Sequence, residues 1–296
     1  MRFDLPQAPL QPLHMPWLAS ARVQVAVLRL DLIDPLISGN KWFKLRHHLA
    51  QADASAAPGL ISLGGNHSNH LHALAAAGRR FGFATAGLLR GQPQDTPTVR
   101  DIKALGMQLH WLGYQGYRAR HQPGFWAPWQ AQYPGWHCIA EGGGGLAGAE
   151  GCALIMQQAR AGLSAIGWAG YDAWWLAAGT GTTLAGLVLA EAGEHTVHGA
   201  LAVPLGHGVP QAVQALAGDH GYQLHEACRG GFGKFDEELL TFIEASEQAT
   251  GVPLEALYTG KALLALRDKV EAGYFAPGTR LVFVHTGGLQ GRRGYL

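Results

Sequence analysis

Short and almost continuously apolar runs alternate along this chain with longer amphipathic or alanine-rich stretches. Runs of this kind are typical of strands buried on both faces, as in a parallel sheet covered by helices. The predicted strands are residues 59–63, 83–89, 107–112, 173–178, 198–204 and 280–285, and the predicted helices are 68–81, 95–105, 147–161, 182–193, 208–217, 235–249 and 260–272. The alternation therefore predicts an α/β fold built on parallel sheets.

The length of the chain and one glycine-rich stretch indicate how this fold is divided. A chain of 296 residues is long enough for one large domain or two smaller ones. The segment 141–151, EGGGGLAGAEG, is the best candidate junction, because the strand–helix alternation resumes after it. Two such units would face each other across a cleft, which is a common place for a small ligand.

Composition and charge exclude several classes of protein. A formal net charge of +1 gives no reason to expect nucleic acid or an anionic membrane as a partner. No apolar run approaches the roughly 18 to 20 residues of a membrane span. The N-terminal segment reads as neither a signal nor a transit peptide, and Cys138, Cys152 and Cys228 lack a metal-ligand spacing. We therefore expect free thiols and a cytoplasmic location.

The segment after the predicted strand 173–178 is rich in glycine and threonine and leads directly into a helix. We call it the Gly-Thr loop, and it consists of Gly179, Thr180, Gly181, Thr182 and Thr183. A phosphate-binding Walker loop needs a lysine that is absent here, and a dinucleotide fingerprint needs a glycine where Leu184 stands. Backbone N–H groups, hydroxyls and a helix N-terminus together suit a single phosphate monoester. A tight turn without a ligand is the other interpretation.

A second strand–glycine–helix junction, GGNHSNH at 64–70, repeats this design. Ser68 and Asn69 stand at the predicted helix start, where Ser68 alone is also explained as an ordinary N-cap. His67, His70 and His72 suggest a metal site, but no acid or thiol lies nearby in the sequence to complete a ligand set. The sequence therefore predicts no metal.

Lys41 stands at the start of a predicted helix in SGNKWFKL, residues 38–45. The positive end of a helix dipole disfavours a cation there by a few tenths of a kcal/mol to about 1 kcal/mol. Taken alone, Lys41 is either an ordinary solvated residue or an amine with a special task.

Six motifs in a fixed order, SGNKWFKL, GGNHSNH, EGGGG, AGTGTTLAG, LYTGKA and HTGG, resemble one enzyme family. They are similar to those of the pyridoxal-phosphate enzymes grouped as D-cysteine desulfhydrase and 1-aminocyclopropane-1-carboxylate deaminase, which have the tryptophan synthase β-like fold (fold type II). The resemblance extends from about residue 5 to residue 294. It implies a small domain at 47–149 and a large domain formed by 1–46 and 150–296, with pyridoxal 5′-phosphate in the interdomain cleft.

The resemblance also implies roles for single residues. Lys41 would bind the cofactor as a Schiff base, and both the helix end and burial would lower its pKa. The Gly-Thr loop would bind the 5′-phosphate of the cofactor. Asn69 would hydrogen-bond its phenolic oxygen, and Thr286 would contact its pyridine nitrogen. Ser68 would contact the substrate carboxylate or move a proton at Cα, with Lys41 as the default base. Tyr258 would lie against the cofactor and the substrate.

Two departures from the family pattern bear on the substrate. Enzymes that open the cyclopropane ring carry a glutamate after the active-site tyrosine, where this chain has Thr259, and the usual EGGSN motif reads Glu141 to Gly145, EGGGG. The first departure favours α,β-elimination from a small amino acid, with D-cysteine as the leading substrate and pyruvate, ammonia and sulfide as products.

Three other functions stay open at this point. Ring opening of 1-aminocyclopropane-1-carboxylate to 2-oxobutanoate and ammonia is the first alternative. A pyridoxal-phosphate-binding protein without catalysis is a remote one, and the broken fingerprint at Leu184 disfavours a nicotinamide-dependent reductase. The resemblance further implies a homodimer.

Overall fold

A computed structural model describes residues 4–294 of the chain. Ten strands occur in this part: β1 Leu10–Leu13, β2 Gln24–Arg29, β3 Gly59–Gly64, β4 Ala84–Leu89, β5 Gln108–Trp111, β6 His137–Cys138, β7 Ala173–Ala178, β8 Thr196–Leu201, β9 Tyr222–Glu226 and β10 Arg280–His285. All six predicted strands are present, and the structure confirms the α/β class.

Eleven α-helices are found in the same residues, and they include every helix predicted from the pattern. They are α1 Pro16–Ala21, α2 Asn40–Ala54, α3 Asn69–Phe81, α4 Pro97–Ala104, α5 Gly113–Arg118, α6 Ala127–Gln132, α7 Leu146–Gly162, α8 Thr182–Glu191, α9 Val209–Ala217, α10 Glu237–Thr250 and α11 Thr259–Glu271. None of these helices is long and apolar enough to cross a lipid bilayer.

The strands form two separate sheets. The larger has the order β1-β2-β10-β7-β8-β9, and it is parallel except for β1, which runs antiparallel to β2. The smaller has the order β5-β4-β3-β6 and is parallel throughout. This arrangement is the two-sheet architecture that the resemblance implies.

The distribution of the two sheets along the chain bears on the predicted domains. The small sheet lies between residues 59 and 138, and the large sheet uses residues before 30 and after 172. Both predicted boundaries, after 46 and after 149, fall inside helices, in α2 and α7, which pack against each other. The domain limits 1–46, 47–149 and 150–296 stay a prediction.

One apolar core is shared by the two sheets. Phe43 of α2 is fully buried together with Leu60 of the small sheet and with Leu176 and Val282 of the large one. A second cluster covers the other face of the large sheet around Trp175. Because the main core includes side chains from both sheets, α2 is held firmly between them.

The outer face of the small sheet is covered by aromatic side chains. Tyr117 and Tyr133 are buried there, and aromatic residues of the segment 125–136 pack around them. This segment therefore contributes apolar packing to the small sheet. The three cysteines are free thiols, of which Cys152 is buried.

Candidate active site

A cavity of about 510 Å³ opens where the carboxyl ends of the two sheets meet. Its wall includes the residues that follow β3, β4, β7 and β10. In open α/β sheets, ligands bind beyond the carboxyl ends of the strands, so the cavity lies where a site is expected.

The structure brings together in this wall every predicted site residue except one. The lining includes Lys41, Ser68, Asn69, Gly179, Thr180, Gly181, Thr183, Tyr258 and Thr286. Thr182 lies behind the wall, with 2% of its surface exposed and its Oγ1 atom 3.2 Å from Oγ1 of Thr180. The Thr182 side chain therefore supports the Gly-Thr loop from behind.

Lys41 is placed by a close contact between the start of α2 and the end of β10. Gly39 has a φ of +68°, and a Cβ at this position would lie 2.0 Å from the carbonyl oxygen of Thr286. The next residue, Asn40, donates its backbone N–H to that same oxygen over 3.1 Å. Only glycine allows this approach, which fixes the beginning of α2 and directs Lys41 into the cavity.

The electrostatic setting of Lys41 explains why a lysine stands at the start of a helix. Its Nζ donates a hydrogen bond to Oδ1 of Asn40 over 2.7 Å. Burial, together with the charge of Lys44, lowers the pKa of Lys41 to about 7. A neutral amine is a nucleophile and a base, so the position suits covalent chemistry better than a solvated cation.

The Gly-Thr loop forms a cradle at the N-terminus of α8. Gly181 has a φ of +78° and packs so closely on α9 that a Cβ would lie 2.6 Å from Cγ2 of Val213. Asn40 donates from Nδ2 to Oγ1 of Thr183 over 2.9 Å, which connects the loop to the helix that carries Lys41. Hydroxyls and backbone N–H groups at a helix N-terminus suit an anion.

Lys44 joins this cradle, and the motif reading missed it. Its Nζ donates to the carbonyl oxygen of Gly142 over 3.1 Å and to Oγ1 of Thr180 over 3.3 Å. Lys44 is only 4% exposed, and burial lowers its pKa. The position of Lys44 three residues after Lys41 could have indicated this role, because residues three apart lie on one helix face.

The start of α3 presents two polar side chains to the cavity. Ser68 is the N-cap of α3, with its Oγ accepting a hydrogen bond from the N–H of Leu71 over 3.2 Å. This bond leaves the hydroxyl proton of Ser68 available to a further acceptor. Gln290 donates from Nε2 to Oδ1 of Asn69 over 2.9 Å, which fixes the orientation of the Asn69 amide.

The three histidines of the same loop do not converge on one point. His70 Nε2 lies 2.8 Å from Oγ of Ser62, and His72 Nε2 lies 3.3 Å from the Asp101 carboxylate, while His67 is exposed. The possible metal-ligand group found among residues 4–294 is elsewhere, at Glu191, Glu194 and His195. The Arg160 guanidinium already pairs with both of those glutamates.

Tyr258 and Thr259 differ sharply in where they lie. The ring of Tyr258 lines the cavity and packs on Gly179, where a Cβ would lie 2.9 Å from the ring. Thr259 is fully buried and outside the cavity wall, and its Oγ1 donates to Oε1 of Glu255 over 3.1 Å. Thr259 therefore has no direct contact with the cavity and can affect it only through other residues.

Glu255 is a buried carboxylate close to the site that the motif comparison did not identify. It accepts hydrogen bonds from the backbone N–H groups of Leu257, Tyr258 and Thr259, as well as from the Thr259 hydroxyl. Burial raises its pKa, and these donors oppose the rise. The carboxylate thus caps the start of α11, and its acceptor capacity is used there.

Tyr117 and Glu141 form the wall on the side of the small sheet. The Tyr117 hydroxyl donates to Oε1 of Glu141 over 2.5 Å, and the Arg120 guanidinium lies 2.7 Å from Oε2. Burial, with the Glu141 charge, raises the pKa of Tyr117 well above its usual value. The pair is therefore a neutral phenol on a carboxylate whose charge is balanced by Arg120.

Comparisons with known proteins show the family to which this chain is similar. The model of one family, described as pyridoxal-phosphate dependent enzymes, matches residues 7–287. A protein of Pyrococcus furiosus, named provisionally as a 1-aminocyclopropane-1-carboxylate deaminase, is 27% identical over 285 residues, covering 90% of this chain and 85% of its own. A similarly named protein of Pyrococcus abyssi is 25% identical over 292 residues, covering 91% of this chain and 86% of its own.

Solved structures show the same fold. A 1-aminocyclopropane-1-carboxylate deaminase homologue superposes with a TM-score of 0.82 at 24% identity, over 98% of this chain and 92% of the other. A hydrogen sulfide-producing enzyme from Fusobacterium nucleatum superposes with a TM-score of 0.68 at 11% identity, over 99% and 97% of the two chains. At these identities the likeness concerns the fold alone.

Proposed function

The chain belongs to the family of pyridoxal-phosphate dependent enzymes, and we propose that it catalyses α,β-elimination from a small amino acid, with D-cysteine as the leading substrate. The products are pyruvate, ammonia and sulfide. The observation that carries the proposal is one cavity that joins the Lys41 amine, the Gly-Thr loop and the Ser68 hydroxyl.

The residues present fit pyridoxal phosphate. The cradle at the start of α8, with Lys44 donating to Thr180, suits one phosphate group. The amine of Lys41, with its pKa lowered to about 7 by burial, suits the aldehyde. Asn69 would hold the phenolic oxygen, and Thr286, 8% exposed at the end of β10, would meet the pyridine nitrogen.

When bound, the cofactor supplies an electron sink that stabilises negative charge at the substrate Cα. The start of α3 holds the substrate carboxylate through its N–H groups and Ser68. Lys41 takes the Cα proton, because an amine with a pKa near 7 accepts and returns protons at neutral pH. Ser68 is the rival base. The Cβ–S bond breaks with its electron pair on sulfur, and water converts the released aminoacrylate to pyruvate and ammonia.

Ring opening of 1-aminocyclopropane-1-carboxylate is the second candidate, because the Pyrococcus relatives carry that name. The site argues against it. Thr259 offers no ionisable group, and the carboxylate of Glu255 is occupied by its backbone and hydroxyl donors. A ring with no proton at Cα needs a well-placed acid, which neither residue supplies to the cavity.

Assays of both substrates on the same wild-type preparation decide between the two reactions. We expect kcat/KM for sulfide and pyruvate formation from D-cysteine to exceed that for 2-oxobutanoate formation from 1-aminocyclopropane-1-carboxylate. L-cysteine run in parallel reports the stereochemical preference. A higher kcat/KM for the cyclopropane substrate would overturn the assignment and leave the second candidate.

The lowered pKa of Lys41 predicts the pH dependence of cofactor uptake. Only the neutral amine attacks the aldehyde, and it predominates above its pKa. The rate at which the apoprotein combines with pyridoxal phosphate should therefore rise with pH to a plateau with a midpoint near pH 7, the value to which burial lowers this pKa. The absorbance change after rapid mixing measures this rate. A midpoint above about pH 9, approaching that of a free lysine, would contradict the setting derived for Lys41.

Three further features belong to this proposal. A homodimer follows from the resemblance, the cytoplasmic location from the sequence, and the D-cysteine specificity from Thr259 and the elimination chemistry. Size-exclusion chromatography with light scattering measures the first of these directly.

A further inference from the structure

Arg90 is a cavity residue for which the proposed reaction has no role so far. It follows β4 directly, and its backbone N–H donates to the carbonyl oxygen of Gly64 over 3.0 Å. Gly64 in turn lies against Ser68, since a Cβ at Gly64 would be 2.4 Å from the Ser68 Oγ. The backbone of Arg90 is thus fixed beside the loop that holds the substrate carboxylate.

The side chain of Arg90 is supported by an aromatic ring. Its guanidinium carbon lies 5.5 Å from the centre of the Tyr114 ring. Tyr114 is held in place because Gly113 bridges to Gly91, with the N–H of Gly113 donating to the Gly91 carbonyl over 3.2 Å. Stacking orients a guanidinium while leaving its N–H donors free for an anion.

No carboxylate of residues 4–294 forms an ion pair with Arg90, in contrast to Arg120, which pairs with Glu141. The Arg90 side chain is exposed and lines the cavity. Asn66 and Gln94 also line the wall and are hydrogen-bonded to each other. The carboxylate that lines this wall is Glu141, and its charge is already paired with Arg120, so the donors of Arg90 have no acid of their own.

The other cationic and anion-binding groups of the cavity already have assigned partners, and Arg90 does not. Lys41 and Lys44 are assigned to the aldehyde and the phosphate, and the start of α3 to the substrate carboxylate. Arg90 and Tyr117 both line the cavity, and the Tyr114 ring on which Arg90 stacks lies on the same helix α5 as Tyr117. Arg90 therefore stands on the Tyr117 side of the cavity, without an anion of its own.

We propose that Arg90 binds a negatively charged β-substituent of the substrate, so that the enzyme prefers amino acids whose β-substituent is charged when bound over those whose β-substituent is neutral. This inference rests on the proposed elimination. With O-phosphoserine, the Cα proton goes to the base, the Cβ–O bond breaks, and its electron pair leaves on phosphate. Water then converts aminoacrylate to pyruvate and ammonia.

A substrate pair that differs in charge tests this role. In the wild type and in Arg90→Gln, kcat/KM is measured for O-phospho-D-serine and for neutral O-acetyl-D-serine. The ratio of the two values should fall about 10- to 100-fold in the variant, as for the loss of a charge-assisted hydrogen bond. Arg90→Lys, which keeps the charge, should retain more of the ratio. The matched control is Arg118→Gln, an exposed arginine outside the cavity wall, which should leave the ratio unchanged.

A binding measurement separates failure of this inference from failure of the proposed function. Calorimetry on cofactor-loaded Lys41→Ala, with and without Arg90→Gln, gives the affinity for the same two compounds. Arg90→Gln should weaken binding of the phosphate ester selectively. An equal loss of affinity for both compounds would assign Arg90 to the α-carboxylate and overturn the inference. An unchanged affinity for both compounds would overturn it as well. If the wild type eliminates neither of these compounds nor D-cysteine, the proposed function is wrong, and calorimetry still decides the role of Arg90.

Discussion

Replacement of Lys41 by alanine is expected to abolish turnover and leave the protein folded. The variant loses both the covalent link to the cofactor and the base at Cα, and a positioned base alone contributes about 100- to 10,000-fold. The Lys41 Nζ bonds only to the neighbouring Asn40 side chain in the described structure, while Trp42 and Phe43 carry the packing of this turn. Steady-state kinetics measures the loss, and circular dichroism and thermal unfolding report the fold.

Lys103→Ala is the control for this variant, because Lys103 is exposed on α4 away from the cavity. It should retain wild-type turnover. Activity of Lys41→Ala within tenfold of the wild type would contradict the assignment of Lys41.

Replacement of Lys44 by methionine is expected to raise the dissociation constant for pyridoxal phosphate by at least tenfold. The variant keeps the length of the buried side chain but removes a charged donor beside Thr180. A hydrogen bond to a charged group contributes about 1.5–3 kcal/mol, which corresponds to roughly 10- to 150-fold in affinity. Equilibrium dialysis of the apoprotein against the cofactor measures this constant.

Thr182→Ala is the matched variant within the Gly-Thr loop. The Thr182 side chain lies behind the cavity wall, so the dissociation constant should change much less than in Lys44→Met. The dissociation constant of Thr183→Ala should lie between those of the other two variants, because Thr183 lines the cavity and also accepts a hydrogen bond from the Asn40 amide. An unchanged constant in Lys44→Met would place the phosphate elsewhere.

The sequence predicted most interior strands of both sheets, because they are buried on both faces, but it missed the interior strand β2. The run AWWLAA became β7 with the same bounds, and RLVFVH became β10. The strands it missed include β1, β6 and β9, which lie at sheet edges and are short or partly polar. An edge strand needs only half of its surface to be apolar, so its pattern is weak.

For the site, the sequence identified the parts that are local. Glycine turns and helix starts pointed to the Gly-Thr loop and to Ser68, which the structure places in one cavity. Glu141 and Arg90 were missed, because their place in the site depends on how the small sheet packs on the large one, whereas Lys44 was missed although it lies on the same face of α2 as Lys41. Thr259 was interpreted from the sequence as the loss of an acid next to Tyr258, and its buried place outside the cavity could not be predicted, because the next residue along the start of a helix faces another direction.

Reductive trapping of the cofactor tests most directly the central claim that Lys41 holds it. The loaded protein, with its absorbance band at roughly 410–430 nm, is reduced with borohydride, digested and mapped by mass spectrometry. Our account predicts that the band is lost and that the modified peptide carries the label on Lys41. A label on Lys44, which lies in the same cavity, or on Lys261, whose Nζ bonds the carbonyl oxygens of Cys228 and Gly231, would contradict it.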